Sequence, residues 1–437
     1  ISVIALSRLD DQRVDHAEHA RVALGMGQDV AVEGPHAWVV AVDDCVPALA
    51  GVDAQRVTRE RGAAQRIAIA GDAAAQEGFL ESYIFADDET GSLVADALAR
   101  AAARGVAVHL LLDGYGARDF APRFRAMLHE AGVHLLMFRP NISPWTLRRN
   151  RLRRMHRKIA CADGAIAFVG GINVIDDYDT PNQTPPRYDY AVKIEGLLVG
   201  RIREVAARLW SRTAWAAFGS RWPGLDGWLG RRARDPAGCA PCAENQRAVL
   251  VIRDNVRHRR DIEEAYLALI AGARKEVLIA NSYFFPGRRF RHALAQAAAR
   301  GVRVTLLLQG RVEYVLLHYA SRALYGPFLD CGIEIHEYHR SFLHAKVAVF
   351  DGRHACVGSS NIDPFSLLLA REANVFVDDA GFAAELRASL LEAMRVGAQP
   401  IPPRQWKRKP LWLRMRIWLA YAIARLFIAF AGVDRYH

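Results

Sequence analysis

His344-Ala-Lys346-Val-Ala-Val-Phe-Asp351-Gly-Arg-His-Ala-Cys-Val-Gly358-Ser359-Ser-Asn361-Ile-Asp363 is the stretch that decides the fold. Apolar residues run through it in a strand-like pattern, Ala345, Val347 and Val349 first, then Ala355, Cys356 and Val357. A histidine and a lysine two apart on a strand project from one face. Ser359 and Asn361 follow a second strand and turn and can face the same pocket. One imidazole, one fixed cation and neutral donors on one surface suit an anionic phosphoryl group. A single His-x-Lys is weak evidence, because a histidine satisfied within a core explains it as well. The pattern, however, occurs twice. His156-Arg-Lys158, Asp163 and Gly170-Gly171-Ile-Asn173 keep every fixed spacing, and the one change is Gly171 in place of Ser359.

Two H-x-K-x4-D-x6-G-(G/S)-x-N motifs resemble the signature of the phospholipase D superfamily. Gly358-Ser-Ser-Asn-Ile-Asp-Pro364, Arg371-Glu-Ala-Asn-Val375 and Tyr188-Asp-Tyr-Ala-Val192 resemble its bacterial cardiolipin synthase branch. The resemblance covers roughly residues 79–400. It implies two tandem phospholipase D-like α/β domains about a pseudo-twofold axis, with one active site at their interface.

The order of elements supports a duplication. Strand Phe79–Phe85, a helix at about 91–104 ended by Gly105 and a strand from Val106 to Asp113 match a strand Val277–Phe285, a helix at about 289–300, Gly301 and a strand from Val302 to Leu308. Ala-Arg-Gly-Val recurs at both places, and Val133–Phe138 and Ile333–Tyr338 each add a strand. A period this long fits a duplicated domain rather than a solenoid, and strand–helix alternation predicts a mixed, largely parallel sheet with helices on both faces. Strand Ala248–Ile252 and a helix Arg259–Ala273 precede the second half. Residues 1–76 show nothing resembling that strand and helix, with short strands expected only at Ala37–Val42 and Arg66–Ala70. They read as an atypical segment, in keeping with a misread start or reading frame. The expected organisation is 1–76 atypical, 77–218 first domain, 219–247 Gly/Pro/Arg-rich linker, 248–400 second domain, and 401–437 a basic, amphipathic tail.

The chain has 437 residues, a net charge of +11, 51% hydrophobic and 24% charged residues, so it is globular and suited to an anionic partner. Charge alone does not choose between nucleic acid and acidic lipid. Cys161 and Cys356 read as small core hydrophobes, Cys239-Ala-Pro-Cys242 as a linker coincidence, and the compartment as reducing. Leu209–Phe218, with Trp222 and Trp228 beyond it, is rich in aromatics that core packing mostly explains, a membrane-facing role being the alternative. In the tail, basic Arg404–Lys409 leads into an apolar run interrupted by Arg425. A charge there disfavours a spanning helix and favours one lying at the interface, Trp412, Trp418 and Tyr421 at headgroup depth. A helix docked on the protein's own body is the alternative.

Face to face, the halves put two histidines on opposite sides of a phosphodiester, as in-line displacement with a nucleophile and a general acid requires. The resemblance implies that His156 attacks to form a phosphohistidine and that His344 protonates the leaving alkoxide, although nothing in the sequence breaks the symmetry. Lys158, Lys346, Asn173 and Asn361 would hold the phosphate oxygens, Ser359 adding a donor and Gly171 its backbone N–H. Asp163 and Asp351 belong to the catalytic motifs but read as shaping a turn. Glu372 and Asp189 read as acids that orient the imidazoles. Neither metal nor cofactor is expected. Arg148, Arg149, Arg151, Arg153, Arg154 and Arg157 read as a solvated loop or an anionic contact. The resemblance implies phosphatidyl transfer between two phosphatidylglycerol molecules at an anionic membrane surface, peripheral and on the cytoplasmic side of the inner membrane, and no nucleic acid. A hydrolytic phospholipase D is the alternative, and a nuclease the more distant one.

Overall fold

The computed structural model describes residues 2–6, 40–43, 62–140, 153–180, 183–219, 245–408 and 410–430. Its strands are β1 (Ser2–Leu6), β2 (Val40–Asp43), β3 (Glu77–Ser82), β4 (Ala107–Asp113), β5 (His134–Phe138), β6 (Ile159–Ala162), β7 (Ile166–Gly170) and β8 (Arg187–Glu195). They continue with β9 (Asn245–Arg253), β10 (Glu276–Asn281), β11 (Arg303–Gln309), β12 (Glu334–Tyr338), β13 (Phe342–Leu343), β14 (Lys346–Phe350), β15 (His354–Gly358), β16 (Glu372–Asp378) and β17 (Ala398–Pro400). Two sheets result, ordered β1-β8-β7-β6-β3-β4-β5 and β17-β12-β11-β10-β14-β15-β16-β9-β2. Read from its other edge, the second sheet repeats the first, β9-β16-β15-β14-β10-β11-β12, with β2 and β17 added outside. The duplicated α/β domain is present.

The sheets are mixed but not largely parallel. Apart from short β13, the parallel runs are β3-β4-β5 and β10-β11-β12. The cause is local to each motif. Asp163 and Asp351 have φ of 53° and 54°, and Gly164 and Gly352 follow at 65° and 66°. Two successive left-handed residues reverse the chain in a tight turn, and strands joined so closely must run antiparallel. Each aspartate also holds the turn to the sheet. Asp163 accepts backbone N–H groups from Ala75, Gln76 and Glu77 at 2.7–2.9 Å. Asp351 accepts those of Arg274, Lys275 and Glu276 at 2.7–3.1 Å.

Residues 1–76 contribute more than the sequence suggests. β1 closes the first sheet on β8 as β9 closes the second on β16. Helix Gly62–Ala73 takes the place of helix Asp261–Gly272, and Arg66–Ala70, expected as a strand, lies inside it. The Ala-Arg-Gly-Val repeats explain the match. The guanidinium of Arg104 donates to the terminal carbonyls Gly71, Asp72 and Ala74, and that of Arg300 to Ile270, Ala271 and Ala273. A cation on the last carbonyls of a helix satisfies groups left without partners and favours its dipole. Of the expected strand Ala37–Val42, the described part falls in β2, which pairs with β9. Residues 7–39, 44–61 and most of the linker, with Trp222, Trp228, Cys239 and Cys242, lie outside the described residues.

Among the described residues the core has three layers. The middle one, between the sheets, holds Met155, Tyr188, Leu343 and Tyr338 with Trp210 of helix Leu197–Phe218 and Leu386 of helix Ala380–Gly397. Outer clusters lie beneath the remaining helices of each half. Trp210 is buried as core packing demands, whereas Trp215 and Phe218 are exposed. Cys161 and Cys356 are buried, and burial pushes both thiols up to about 12. Asp351→Ala leaves three N–H groups without their carboxylate and is expected to lower unfolding free energy by on the order of 2 kcal/mol. Denaturant titration alongside turnover per folded molecule checks this; an equal loss of turnover in the fully folded variant would return Asp351 to the chemistry.

Candidate active site

The two halves exchange partners at the site. β13 lies parallel to the start of β8, and just beyond it His344 N–H donates to Tyr188 O at 2.8 Å. In the same way Met155 bridges to Arg371, and His156 N–H donates to Arg371 O at 2.9 Å. Each motif histidine is thus held by the residue before the other half's acid. The side chains follow. His344 Nδ1 lies 2.6 Å from Asp189 Oδ2, and His156 Nδ1 lies 3.0 Å from Glu372 Oε1. Each acid therefore serves the histidine of the opposite half. A carboxylate on Nδ1 fixes the proton there and leaves Nε2 of both rings for the pocket.

The lysines fold back on their own motifs. Lys158 Nζ donates to His156 O at 2.7 Å, Lys346 Nζ donates to His344 O, and Lys346 Nζ lies 3.4 Å from Asp189 Oδ2. Burial dominates the protonation of the site. It lowers His156 against the pull of Glu372, and it lowers His344 to about 3, with Lys346 acting in the same sense. Lys158 falls to about 7 and Lys346 also falls. Burial alone would raise Asp189, but the charge of Lys346 and the contact with His344 outweigh it and hold the carboxyl below its ordinary value.

Two expected phosphate contacts are otherwise engaged. Ser359 is fully buried and its hydroxyl donates to Glu372 Oε2, so it orients the acid. The Gly171 N–H donates to Tyr190 O at 2.9 Å and does not face the pocket as a free donor. Its role is space. A Cβ at Gly171 would lie 2.3 Å from Asp189 Oδ1. Asn173 and Asn361 sit beside the motifs, their amide oxygens accepting from Ile84 N at 3.2 Å and Ser282 Oγ at 2.8 Å. Asp163 and Asp351, included among the catalytic motif residues, are committed to the turns described above.

Of the arginine run, 148, 149 and 151 lie outside the described residues. Arg157 is buried against Glu81 at 2.6 Å and Arg154 reaches Asp113 at 3.6 Å, so these two are inward ion pairs rather than a solvated loop. Tyr83 went unrecognised. Its ring meets that of His156 edge-on at 4.9 Å and lies under Lys158 Nζ at 5.4 Å. The repeat of Ser82-Tyr83 at Ser282-Tyr283 was the available signal. Gly171→Ala must displace Asp189 from His344, and about a hundredfold loss of turnover is expected from such a misplacement. Steady-state kinetics with circular dichroism to verify the fold provide the check, and near-normal turnover would remove Asp189 from its positioning role.

A family model described as "Cardiolipin synthase, PLD-like domain" matches residues 72–183 and 266–394. Cardiolipin synthase B of Escherichia coli (strain K12) is 38% identical over 362 residues, covering 81% of this chain and 83% of that protein. The major cardiolipin synthase ClsA of Bacillus subtilis (strain 168) is 29% identical over 342 residues, 77% of this chain and 67% of that one. In structure, the phosphatidylserine synthase of Haemophilus influenzae Rd KW20 has the same fold, with a TM-score of 0.59 at 12% identity over 85% of this chain and 92% of that one. The chain belongs to the cardiolipin synthase family of phospholipase D-like proteins.

Proposed function

We propose that the protein is a cardiolipin synthase, moving a phosphatidyl group from one phosphatidylglycerol to a hydroxyl of another and releasing glycerol. The observation that carries this reading is the exchanged pair of acid–histidine couples, His156–Glu372 and His344–Asp189. His156 Nε2 attacks phosphorus, the bond to the glycerol oxygen breaks, and His344 gives that oxygen a proton. The acceptor hydroxyl then gives its proton to His344 and attacks phosphorus as the phosphorus–nitrogen bond breaks. Every bond broken is replaced by one of similar energy, so no nucleotide is consumed. Lys158, Lys346, Asn173 and Asn361 hold the non-bridging oxygens, and Tyr83 packs the attacking ring. Asp189, Glu372 and Ser359 act through the histidines. Chromatography of products from labelled phosphatidylglycerol in mixed micelles tests this. The wild type is expected to yield cardiolipin and His156→Ala and His344→Ala none, each at least about a thousandfold down. Phosphatidic acid as the sole product would make the enzyme a hydrolase.

The membrane contact belongs to the same reading. Among the described residues no helix is long and apolar enough to cross a membrane. Helix Leu411–Phe430 buries Ile417, Ala420, Ala424 and Ile428 against the second half and exposes Trp412, Met415, Trp418, Leu419, Leu426 and Phe427. It is docked on the protein's body and apolar outside at once. It packs on helix Val315–Arg322, whose start exposes Val315 and Leu316 beside Tyr314. Arg414 and Arg416, in the first turns of helix Leu411–Phe430, and Arg408, just before it, are exposed. An apolar face flanked by cations suits the headgroup boundary of an anionic bilayer, each basic residue adding about 1 kcal/mol. The protein would then work peripherally on the cytoplasmic side of the inner membrane. Trp418→Glu combined with Leu419→Glu is expected to cut sedimentation with phosphatidylglycerol vesicles by about tenfold or more, and undiminished sedimentation would place the membrane contact elsewhere.

A further inference from the structure

A second, narrow cavity shares a wall with the second motif. Ser282, Tyr283, Gln309, Arg311, Glu313 and Tyr314 line it together with helix Val315–Arg322. Ser282 ties it to the site. Its N–H donates to Ala345 O at 3.0 Å, between His344 and Lys346, and its hydroxyl donates to Asn361 at 2.8 Å. The cavity is about 30 Å³, room for a water or one hydroxymethyl arm.

Two side chains give the cavity its chemistry. Gln309 is 8% exposed; its Oε1 accepts from Arg311 N at 3.4 Å, while its Nε2 is buried without a hydrogen-bond partner among the described residues. A buried amide donor left so is costly and suits an incoming acceptor. Glu313 stands at the mouth, open to solvent on one side, and accepts from the Tyr283 hydroxyl. Burial in the surrounding cleft raises its carboxyl to about 7, against the charges of Arg187 and Lys346, which favour its ionised form. An acid is a poor choice for holding a phosphodiester, which it repels. It is a good choice for accepting hydrogen bonds from hydroxyls.

We propose that this cavity is the acceptor-alcohol subsite and selects a polyol headgroup, Glu313 accepting from, and Gln309 Nε2 donating to, the hydroxyl beside the one that attacks phosphorus. This rests on the phosphatidyl-transfer reading and adds the residues that choose the alcohol. Water and simple alcohols reach the same phosphorus but offer no second hydroxyl to this pair, so a transferase gains its preference here while the motifs stay as they are.

The test is a competition between acceptors. Full-length enzyme is given phosphatidylglycerol in mixed micelles with equal amounts of deuterated glycerol and 1-propanol, and the two phosphatidyl products are counted by mass spectrometry. The wild type is expected to favour glycerol. Glu313→Ala and Gln309→Leu are each expected to lower the glycerol-to-propanol ratio about tenfold, the value of one hydrogen bond to a buried or charged group. The propanol product reports that each variant folds and cleaves phosphorus–oxygen bonds. An unchanged ratio in both variants, or an equal fall in both products, would overturn the subsite. Should the wild type make no cardiolipin in the absence of added alcohol, the transferase reading fails, and the competition ratio still decides the subsite.

Discussion

The acid–histidine exchange between halves is the constraint on which the rest of the molecule depends. A histidine two residues before its lysine needs a carboxylate on Nδ1, and in neither motif does its own half supply one. β13 and the Met155–Arg371 bridge bring each motif to the other half's acid-bearing strand. The middle core layer, with helices Leu197–Phe218 and Ala380–Gly397, holds the two sheets at that distance. The candidate active site and the interface between the halves are therefore one structure. Removing one acid leaves buried partners uncompensated, a loss of about 3–5 kcal/mol for a buried pair. Stability of the interface and competence of the site are linked for that reason.

The twofold symmetry is imperfect where the acids differ in length. Asp189 reaches His344 only by lying where a Cβ of residue 171 would stand, so its half requires glycine. Glu372 is longer and comes to His156 with space to spare at the same position, which Ser359 fills with a hydroxyl on the acid's second oxygen. Gly171 and Ser359 are thus the complements of a short and a long carboxylate. The sequence difference between the two motifs is compensated inside the halves, and each imidazole receives a carboxylate.

Much of this was legible in the chain because spacing carries it. His156, Lys158, His344 and Lys346 follow from two matching strings, and Glu372 and Asp189 from matching positions after them. The exchange was not legible, since a repeat shows what recurs along the chain and not which copy faces which. Ser359 and Gly171 were misread as phosphate donors for the same reason: their partners are acids thirteen and eighteen residues on, across a strand pair. Arg66–Ala70 looked like a strand because Ile67 and Ile69 alternate with small residues. It is helical because Ile67 and Ala70 pack on the outer core of the first half, and Arg104 caps the end of the same helix at Gly71, Asp72 and Ala74. β1 is too short to announce itself, and its pairing with β8 supplies what its sequence does not.

The charges at the centre then make sense as a set. Two carboxylates and two lysines are buried around two imidazoles, and burial disfavours the charged form of every one of them. Asp189 is kept ionised by Lys346 and His344, while Lys158 is left near neutrality and the imidazoles below their ordinary range. A phosphodiester monoanion beside these groups acts in the opposite sense, favouring the ammonium on both lysines and a proton on whichever imidazole faces the leaving oxygen. Groups that titrate together behave as a unit, so one anion can shift all of them at once. The imidazole away from the leaving oxygen keeps a free Nε2 lone pair, and the other gains the proton that the alkoxide needs. In the proposed transfer, a pair of neutral histidines would thereby become a nucleophile, His156, and an acid, His344, the bound phosphodiester supplying the charge that tells them apart.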